Sequence, residues 1–263
     1  MTRPYLKLLA VTAAAGVALS ACSGGAAKPA VQDGQLVGLF RLTPGTAAGS
    51  AVSGTYFRML TPGAGPKGPF MQNGNSKADG GRATTLSPGT SGGLRTAGYQ
   101  SQPSPAFTKR GDSSSAAITR PTAFFGVLFG IATNQVDPQT KTDVAPPTVT
   151  LKGGKLTADL SSWAVTWNNQ YFNQGAPKPV SSTGAKAPGQ VKAEKVWDWV
   201  AGKYLDAAPA ATVTGSAATG TFDTKTKHFV LEWTSLISGG PFNRFTGLWH
   251  LEGTFEPSGR APS

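Results

Sequence analysis

The sequence predicts an all-β protein, an antiparallel sandwich or a partly open barrel, with long Gly/Pro-rich loops and one short helix at about 190–205. Three observations predict this class. The 263 residues include 34 glycines and 20 prolines, which divide a chain into short elements. Apolar and polar residues alternate in several short segments, which is the period of a half-buried strand. Only 14% of the residues are charged, whereas coiled coils and long helical bundles are rich in Glu and Lys.

Composition divides the chain into four segments. Residues 1–21 are a basic and apolar leader, and residues 22–34 form a small, polar tether. Residues 35–120 are rich in Gly, Pro, Ser and Thr. Residues 121–263 contain longer apolar and aromatic stretches, typical of a sandwich-like β structure. We expect 35–120 and 121–263 to form one continuous domain.

Short strands are expected between the turn signals of the Gly/Pro-rich segment. The candidates are residues 35–42, 54–60 and 94–100. Several Pro-Gly pairs separate them, and such pairs favour turns over helices. This segment is therefore predicted to consist of short strands joined by long loops.

The next segment begins with residues 122–133, which are apolar and aromatic and predict a buried strand. A hairpin follows, because the predicted strands 148–151 and 156–160 flank the pair Gly153-Gly154, a strong turn signal. The alternation then shifts by one position. A β-bulge at Ser161-Ser162 would absorb this shift.

Residues 190–205 predict the one helix, because apolar residues recur there at helical spacing. Strands are expected again at 211–222, 228–235 and 248–255, where apolar and polar residues alternate. The polar turn at 223–227 would join the first two of these strands as a hairpin.

The first 22 residues have the pattern of an export signal. A short basic stretch precedes an apolar run, 8–19, that is too short to span a bilayer and has the size of a signal-peptide core. The tetrapeptide Leu19-Ser20-Ala21-Cys22 follows and resembles the lipobox of bacterial lipoproteins. The resemblance implies cleavage before Cys22 and attachment of lipid to its thiol. The alternative is an ordinary secretory signal with a chance cysteine at the cleavage site.

Cys22 is the only cysteine of the sequence, so disulfide-stapled folds and Cys-based zinc or iron–sulfur sites are excluded. Its use as a lipid attachment point explains a lone thiol in an exported chain. Two or three acyl chains hold a protein durably on a membrane. We therefore expect a lipid-anchored protein of the cell membrane or outer membrane that faces the periplasm or the exterior.

Two motifs stand near the C-terminal end, in residues 231–255. They are GGPFN-x-F-x-G and W-H-L-x-G, and they follow a strand that carries a tryptophan. Residues 167–175, WNNQYFNQG, contain a similar combination of aromatic, amide and glycine residues. This region is similar to a C-terminal signature of uncharacterised secreted bacterial β-rich proteins. The resemblance implies a β fold and brings no catalytic residues.

Strand parity places both histidines of the chain and two glutamates together. If the last two predicted strands pair, His228, Glu232, His250 and Glu252 all lie on the face opposite the aromatic residues. Two imidazoles and two carboxylates are suitable ligands for zinc, which makes these residues candidates for a divalent metal site. The alternative is the polar outer face that a half-buried antiparallel strand presents.

A second candidate site involves tryptophans. Trp167 opens a polar run that contains Asn168, Asn169 and Tyr171, and Trp199 lies off the apolar stripe of the predicted helix. Flat aromatic rings beside amide groups suit stacking on a sugar ring. The alternative is a polar turn beside a core tryptophan.

The distribution of charge indicates the kind of partner. The net charge is +11, and ten basic but only three acidic residues lie between 23 and 120. Such a surface favours anionic lipid headgroups or envelope polymers. Nucleic acid would give the same signal, but an exported chain seldom meets it, so it is not an expected partner.

We therefore expect a non-enzymatic binding or structural role in the cell envelope, with a polysaccharide or protein partner and no cofactor. The alternative is an envelope hydrolase or a metal-dependent enzyme that uses His228, Glu232, His250 and Glu252.

Overall fold

The computed structural model describes residues 31–179 and 215–258, together with the backbone of two short strands between them. In chain order the strands are β1 (Gly34–Gln35), β2 (Gly38–Leu42), β3 (Thr46–Ala48), β4 (Ala51–Ser53), β5 (Tyr56–Gly65), β6 (Gly68–Phe70), β7 (Thr84–Thr85), β8 (Gly93–Arg95), β9 (Thr122–Phe124), β10 (Val127–Thr133), β11 (Thr148–Lys152), β12 (Lys155–Asp159), β13 (Trp163–Trp167), β14 (Gln170–Asn173), β15 (Val196–Asp198), β16 (Lys203–Leu205), β17 (Ala218–Phe222), β18 (His228–Leu236) and β19 (Thr246–Pro257). A short 3-10 helix at Ala78–Gly81 is the helical element among the described residues. The all-β prediction is confirmed.

Eleven of these strands form one curled antiparallel sheet. Its order runs β1-β11-β12-β17-β18-β19. On its other side β19 pairs with two strands along its length: residues 246–250 pair with β5, and residues 253–257 pair with β2. β8 follows β2, and both β6 and β7 pair with β5. On this side of β19 the sheet therefore divides, next to Glu252, into one branch that begins with β2 and another that begins with β5.

An excursion of the chain between β2 and β5 produces this division. β3 and β4 form a hairpin within it, and Thr55 N donates to Thr43 O at its base, at 3.1 Å. The carbonyl oxygen of Glu252 accepts hydrogen bonds from Thr43 N at 2.8 Å and from Thr55 Oγ1 at 3.2 Å. β2 and β5 are thus two halves of one interrupted strand, and Glu252 lies opposite the interruption.

A second, four-stranded sheet has the order β14-β13-β10-β9 and packs on the large sheet through tryptophans. Trp163 of β13 stands edge-on to Trp233 of β18 and Trp249 of β19, with ring centroids 5.1 and 5.5 Å apart. All three side chains are almost completely buried. Edge-to-face contacts between large rings are favourable, and the core between the two sheets is centred on them.

Two local predictions are corrected by the structure. Residues 122–133 form a hairpin of β9 and β10 rather than one strand, because Phe125 and Gly126 take the left-handed conformation that a two-residue turn requires. The bulge predicted at Ser161-Ser162 is a crossing between sheets: β12 belongs to the large sheet and β13 to the small one. The hairpin predicted at Gly153-Gly154 is confirmed, with Lys152 opposite Lys155.

The helix predicted at 190–205 is wrong for the parts of it that the structure describes. β15 and β16 pair as antiparallel strands, with Trp197 opposite Tyr204. Apolar residues in a short stretch fit a helical stripe and a strand about equally. Valine, tryptophan and tyrosine dominate this one, and they favour strands. Trp199 lies outside the described residues.

Candidate functional site

The interruption beside β19 places Glu252 at the centre of a chain of polar side chains. Its Oε1 lies 3.1 Å from His228 Nε2, and its Oε2 lies 3.5 Å from His250 Nε2. The Nδ1 atom of His250 lies 2.7 Å from Oε1 of Glu232. We call these four residues the His–Glu chain. Gly54 N also donates to Glu252 Oε2, at 2.9 Å, so the excursion between β2 and β5 is bonded to it.

The pairing of β18 with β19 brings these residues together. Glu232 is opposite His250, and His228 is opposite Thr254. The residues between them along each strand point the other way and are buried: Phe229, Leu231, Trp233, Trp249 and Leu251. The shared polar face that strand parity predicts is therefore confirmed for all four residues.

His250 is the most enclosed member of the His–Glu chain, with 13% of its side chain exposed. Its ring stacks on that of Tyr56, with centroids 4.5 Å apart and planes 8° from parallel. Both ring nitrogens face carboxylates: Nδ1 faces Glu232 and Nε2 faces Glu252. His250 therefore links the two glutamates of the His–Glu chain.

These contacts shift the pKa values of the carboxyl groups. The hydrogen bond from His250 lowers the pKa of Glu232 below its ordinary value. Burial alone would raise the pKa of Glu252, but hydrogen bonds from His228, Gly54 N and His250 outweigh it and leave that pKa lowered. Burial raises the pKa of Tyr56, and the nearby negative charge of Glu232 acts in the same direction. The two glutamates are thus held in their ionised form.

These lowered pKa values predict an acid-sensitive contribution to stability. A carboxylate with a lowered folded pKa stabilises the protein above its ordinary pKa, and this contribution disappears as pH falls through the folded value. We expect the wild type to melt about 2–4 °C above a Glu232→Gln/Glu252→Gln variant at pH 6, and this difference to shrink steadily as the pH is lowered below 4.5. Thermal unfolding followed by circular dichroism across this range measures it.

Asp143→Asn is the matched control, because Asp143 is exposed. It should leave the melting temperature within about 1 °C of the wild type at each pH. A difference between wild type and the double variant that stays constant from pH 6 to pH 3 would contradict the electrostatic role of the His–Glu chain.

The predicted metal candidates are thus together, but they are bonded to one another. The nitrogen and oxygen atoms that would coordinate a cation lie within ion-pair distance of one another. In the part of the chain that the structure describes, no three or more His, Cys, Asp or Glu side chains are arranged so that they could hold a metal ion. The four side chains thus satisfy one another's polar atoms.

The polar face continues from Tyr56 along β5. The guanidinium of Arg58 lies 4.7 Å from the ring centroid of Phe70 and 5.5 Å from that of Tyr56. Its Nη1 binds Asp79 Oδ2 at 2.6 Å, and Arg82 Nη2 binds the other oxygen of Asp79 at 3.0 Å. One buried carboxylate is therefore shared by two arginines.

An open groove of about 450 Å³ lies beside these ion pairs, and we call it the basic groove. Its lining residues are Lys67, Pro69, Phe70, Gln72, Asp79 and Arg82. The cationic side chains of Lys67 and Arg82 are exposed, whereas the pKa of Asp79 is lowered by hydrogen bonds from Arg82 and Arg58. Its volume falls within the ordinary range of ligand sites.

The sequence pattern does not predict the basic groove as a whole. Tyr56 and Arg58 alternate with the buried Phe57 and Met59 within a predicted strand, so their outward direction was available from strand parity. Asp79 offered no such signal. It lies in the short 3-10 helix Ala78–Gly81, where its own backbone is left-handed, φ 50°, and no sequence period connects it to Arg58.

The described residues of the predicted sugar-stacking site differ in their exposure to solvent. Asn168 and Asn169 are the exposed turn of the β13–β14 hairpin, and Tyr171 is half-buried against Phe107, with centroids 5.2 Å apart. Trp167 is 7% exposed. Its ring lines a small apolar cavity of about 40 Å³ between the two sheets, so it does not offer a flat face to solvent.

Comparisons with protein families, curated proteins and solved structures found no match to this chain. None of the helical residues that the structure describes forms a segment long and apolar enough to cross a membrane.

Proposed function

We propose that this protein is a lipid-anchored, non-enzymatic binding protein of the bacterial cell envelope, and that it binds an anionic envelope polymer in the basic groove. The anchor is the lipid carried by Cys22. The folded β body then faces the periplasm or the exterior, on the cell membrane or the outer membrane.

The spacing between Cys22 and the β body supports a role close to the membrane. Eight residues, 23–30, separate Cys22 from the first described residue, Val31. A chain of this length spans at most about 30 Å when fully extended. The β body would therefore begin within about 30 Å of the proposed lipid attachment point.

The observation that carries the binding proposal is the charge of the basic groove. Lys67 and Arg82 are exposed cations, and the single carboxylate in the lining, Asp79, is already paired with Arg82 and with Arg58. An anionic group entering the groove meets a net positive charge and no free carboxylate of the lining. Phe70 and Gln72 add an apolar ring and an amide, which suit the carbon skeleton and hydroxyl groups of a polymer unit.

The test is binding of purified protein to isolated cell-wall polyanion, measured by co-sedimentation. We expect the double variant Lys67→Gln/Arg82→Gln to bind about tenfold more weakly than the wild type at 0.1 M salt, since two cations at the contact are lost. Binding of the wild type should weaken as ionic strength rises, because salt screens exposed charges.

Lys152→Gln/Lys155→Gln is the matched control, because it removes the same charge from an exposed hairpin elsewhere. It should bind nearly as well as the wild type. Equal loss in the two double variants would mean that net charge alone attracts the polymer. If the wild type does not bind the polyanion at 0.1 M salt or at lower ionic strength, the proposal is overturned.

The alternative of an envelope enzyme is supported by the convergence of His228, Glu232, His250 and Glu252. Metal analysis of the purified protein and of its His228→Ala and His250→Ala variants separates the two functions. Zinc that copurifies in stoichiometric amount and is lost in both variants would favour the enzyme.

A further inference from the structure

The tip of the β9–β10 hairpin exposes apolar side chains. Phe125 is 39% exposed and Leu128 is 36% exposed. Among the described residues, one other large apolar side chain reaches this exposure, Val136 at 45%. Single exposed apolar residues are common on protein surfaces, but two of these three are on one hairpin. We call Phe125 and Leu128 the apolar tip.

The backbone at the apolar tip makes Phe125 an unexpected residue. Phe125 and Gly126 both have positive φ, 49° and 80°, and such two-residue turns favour Asn-Gly or Asp-Gly. The neighbouring β13–β14 hairpin has the same kind of turn and uses Asn168 and Asn169, with φ 50° and 58°. A phenylalanine rarely adopts this conformation. Local turn stability therefore does not explain its presence.

The apolar tip is held firmly by its surroundings. The ring of Phe125 packs against those of Phe124 and Phe242, with centroids 5.0 and 5.4 Å away. The Gly126 amide donates to Asn75 Oδ1 at 2.7 Å. The ring of Phe125 is therefore held at a fixed place against Phe124 and Phe242, and the rest of its surface is exposed.

Cations lie beside the apolar tip. The loop at 107–113 is bonded to β10 at Leu128: Ser113 N donates to Leu128 O, and Leu128 N donates to Asp112 Oδ1, both at 2.9 Å. This loop carries Lys109 and Arg110, and both are exposed. The acid of the loop, Asp112, thus already accepts a hydrogen bond from the strand.

We propose that the apolar tip docks on an anionic bilayer surface. Phe125 and Leu128 enter the headgroup–acyl boundary, and Lys109 and Arg110 meet the lipid phosphates. Apolar insertion combined with attraction of nearby cations to anionic lipid is the usual basis of interfacial binding. This inference rests on the membrane location proposed above and adds the orientation of the β body on that membrane.

The test uses a chain that starts at Ser23. This chain keeps every described residue and lacks Cys22, so no acyl chain contributes to its binding to vesicles. Sedimentation with vesicles of phosphatidylcholine, with or without about 30 mol% phosphatidylglycerol, measures its partition. We expect binding to the anionic vesicles and little to the neutral ones.

Two pairs of variants identify the surface. Phe125→Asn combined with Leu128→Thr should lower the partition by about fivefold or more, whereas Val136→Thr should leave it unchanged. Asparagine suits the left-handed turn, which offsets part of the loss of the Phe125 ring contacts; circular dichroism at the temperature of the assay shows that the variant is folded. Lys109→Gln/Arg110→Gln should also weaken binding, and Lys152→Gln/Lys155→Gln should not.

Failure of this inference is distinct from failure of the proposed function. A chain from Ser23 that binds no vesicles, or a tip variant that binds as well as the wild type, would overturn membrane docking. Neither result would change the binding of polyanion to the basic groove, which is measured without a membrane.

Discussion

Replacing Trp249 by alanine is expected to lower the free energy of unfolding by about 3–5 kcal/mol, the usual cost of truncating a large buried aromatic residue. Trp249 is 1% exposed. Its ring contacts Phe57 of the same sheet at 4.6 Å and Trp163 of the opposite sheet at 5.5 Å, centroid to centroid. The cavity left behind would lie between the two sheets. Urea unfolding followed by tryptophan fluorescence and circular dichroism measures the change.

Val136→Ala serves as the control for this measurement. Val136 is 45% exposed, so its truncation should change the free energy of unfolding by no more than about 0.5 kcal/mol. A loss below about 1 kcal/mol for Trp249→Ala would mean that the tryptophan contacts between the sheets contribute little to stability.

Cys22→Ser is expected to abolish lipid attachment completely. The thiol is the proposed site of attachment, and Cys22 is the only cysteine in the sequence. Each buried methylene of an acyl chain contributes about 0.8 kcal/mol to membrane binding, so two or three chains make the difference between retention and release. Incorporation of labelled fatty acid, with detergent-phase partitioning of the mature protein, measures this effect.

Ser23→Ala is the neighbouring control and should be labelled like the wild type. Fatty-acid label that persists in Cys22→Ser would show that the anchor lies elsewhere. An unlabelled wild type would support the ordinary secretory signal instead.

The last two strands of the described chain were the most predictable part of the fold. The sequence predicts strands at 228–235 and 248–255, and the structure has His228–Leu236 and Thr246–Pro257. Each strand alternates between a buried face and a partly exposed, mostly polar face, and a slip of one residue would reverse every side chain. The same alternation predicts that His250 and Glu252 share one face, whereas their distances to His228 and Glu232 depend on the pairing of the two strands.

Other parts of the fold depend on contacts between residues that are distant in sequence. Alternation predicts which way Arg58 points, but it does not predict that Asp79 of the short 3-10 helix pairs with it. It also does not reveal that β2 and β5 share one neighbour. The apolar spacing at 190–205 does not distinguish a helix from strands. β15 and β16 have three residues each, and so short a segment is compatible with both periods.

The central place of β19 has a consequence for the order of assembly. β19 follows every other described strand in the chain, yet it joins β18 to both β2 and β5. In a chain that emerges with its N-terminus first, three parts of the large sheet, β1-β11-β12-β17-β18, β2-β8 and β5 with β6 and β7, have no shared strand until β19 arrives. Completion of the sheet is then a late event, because its contacts close long loops. The contacts of β19 with β18, β2 and β5 would therefore be the last of the large sheet to form.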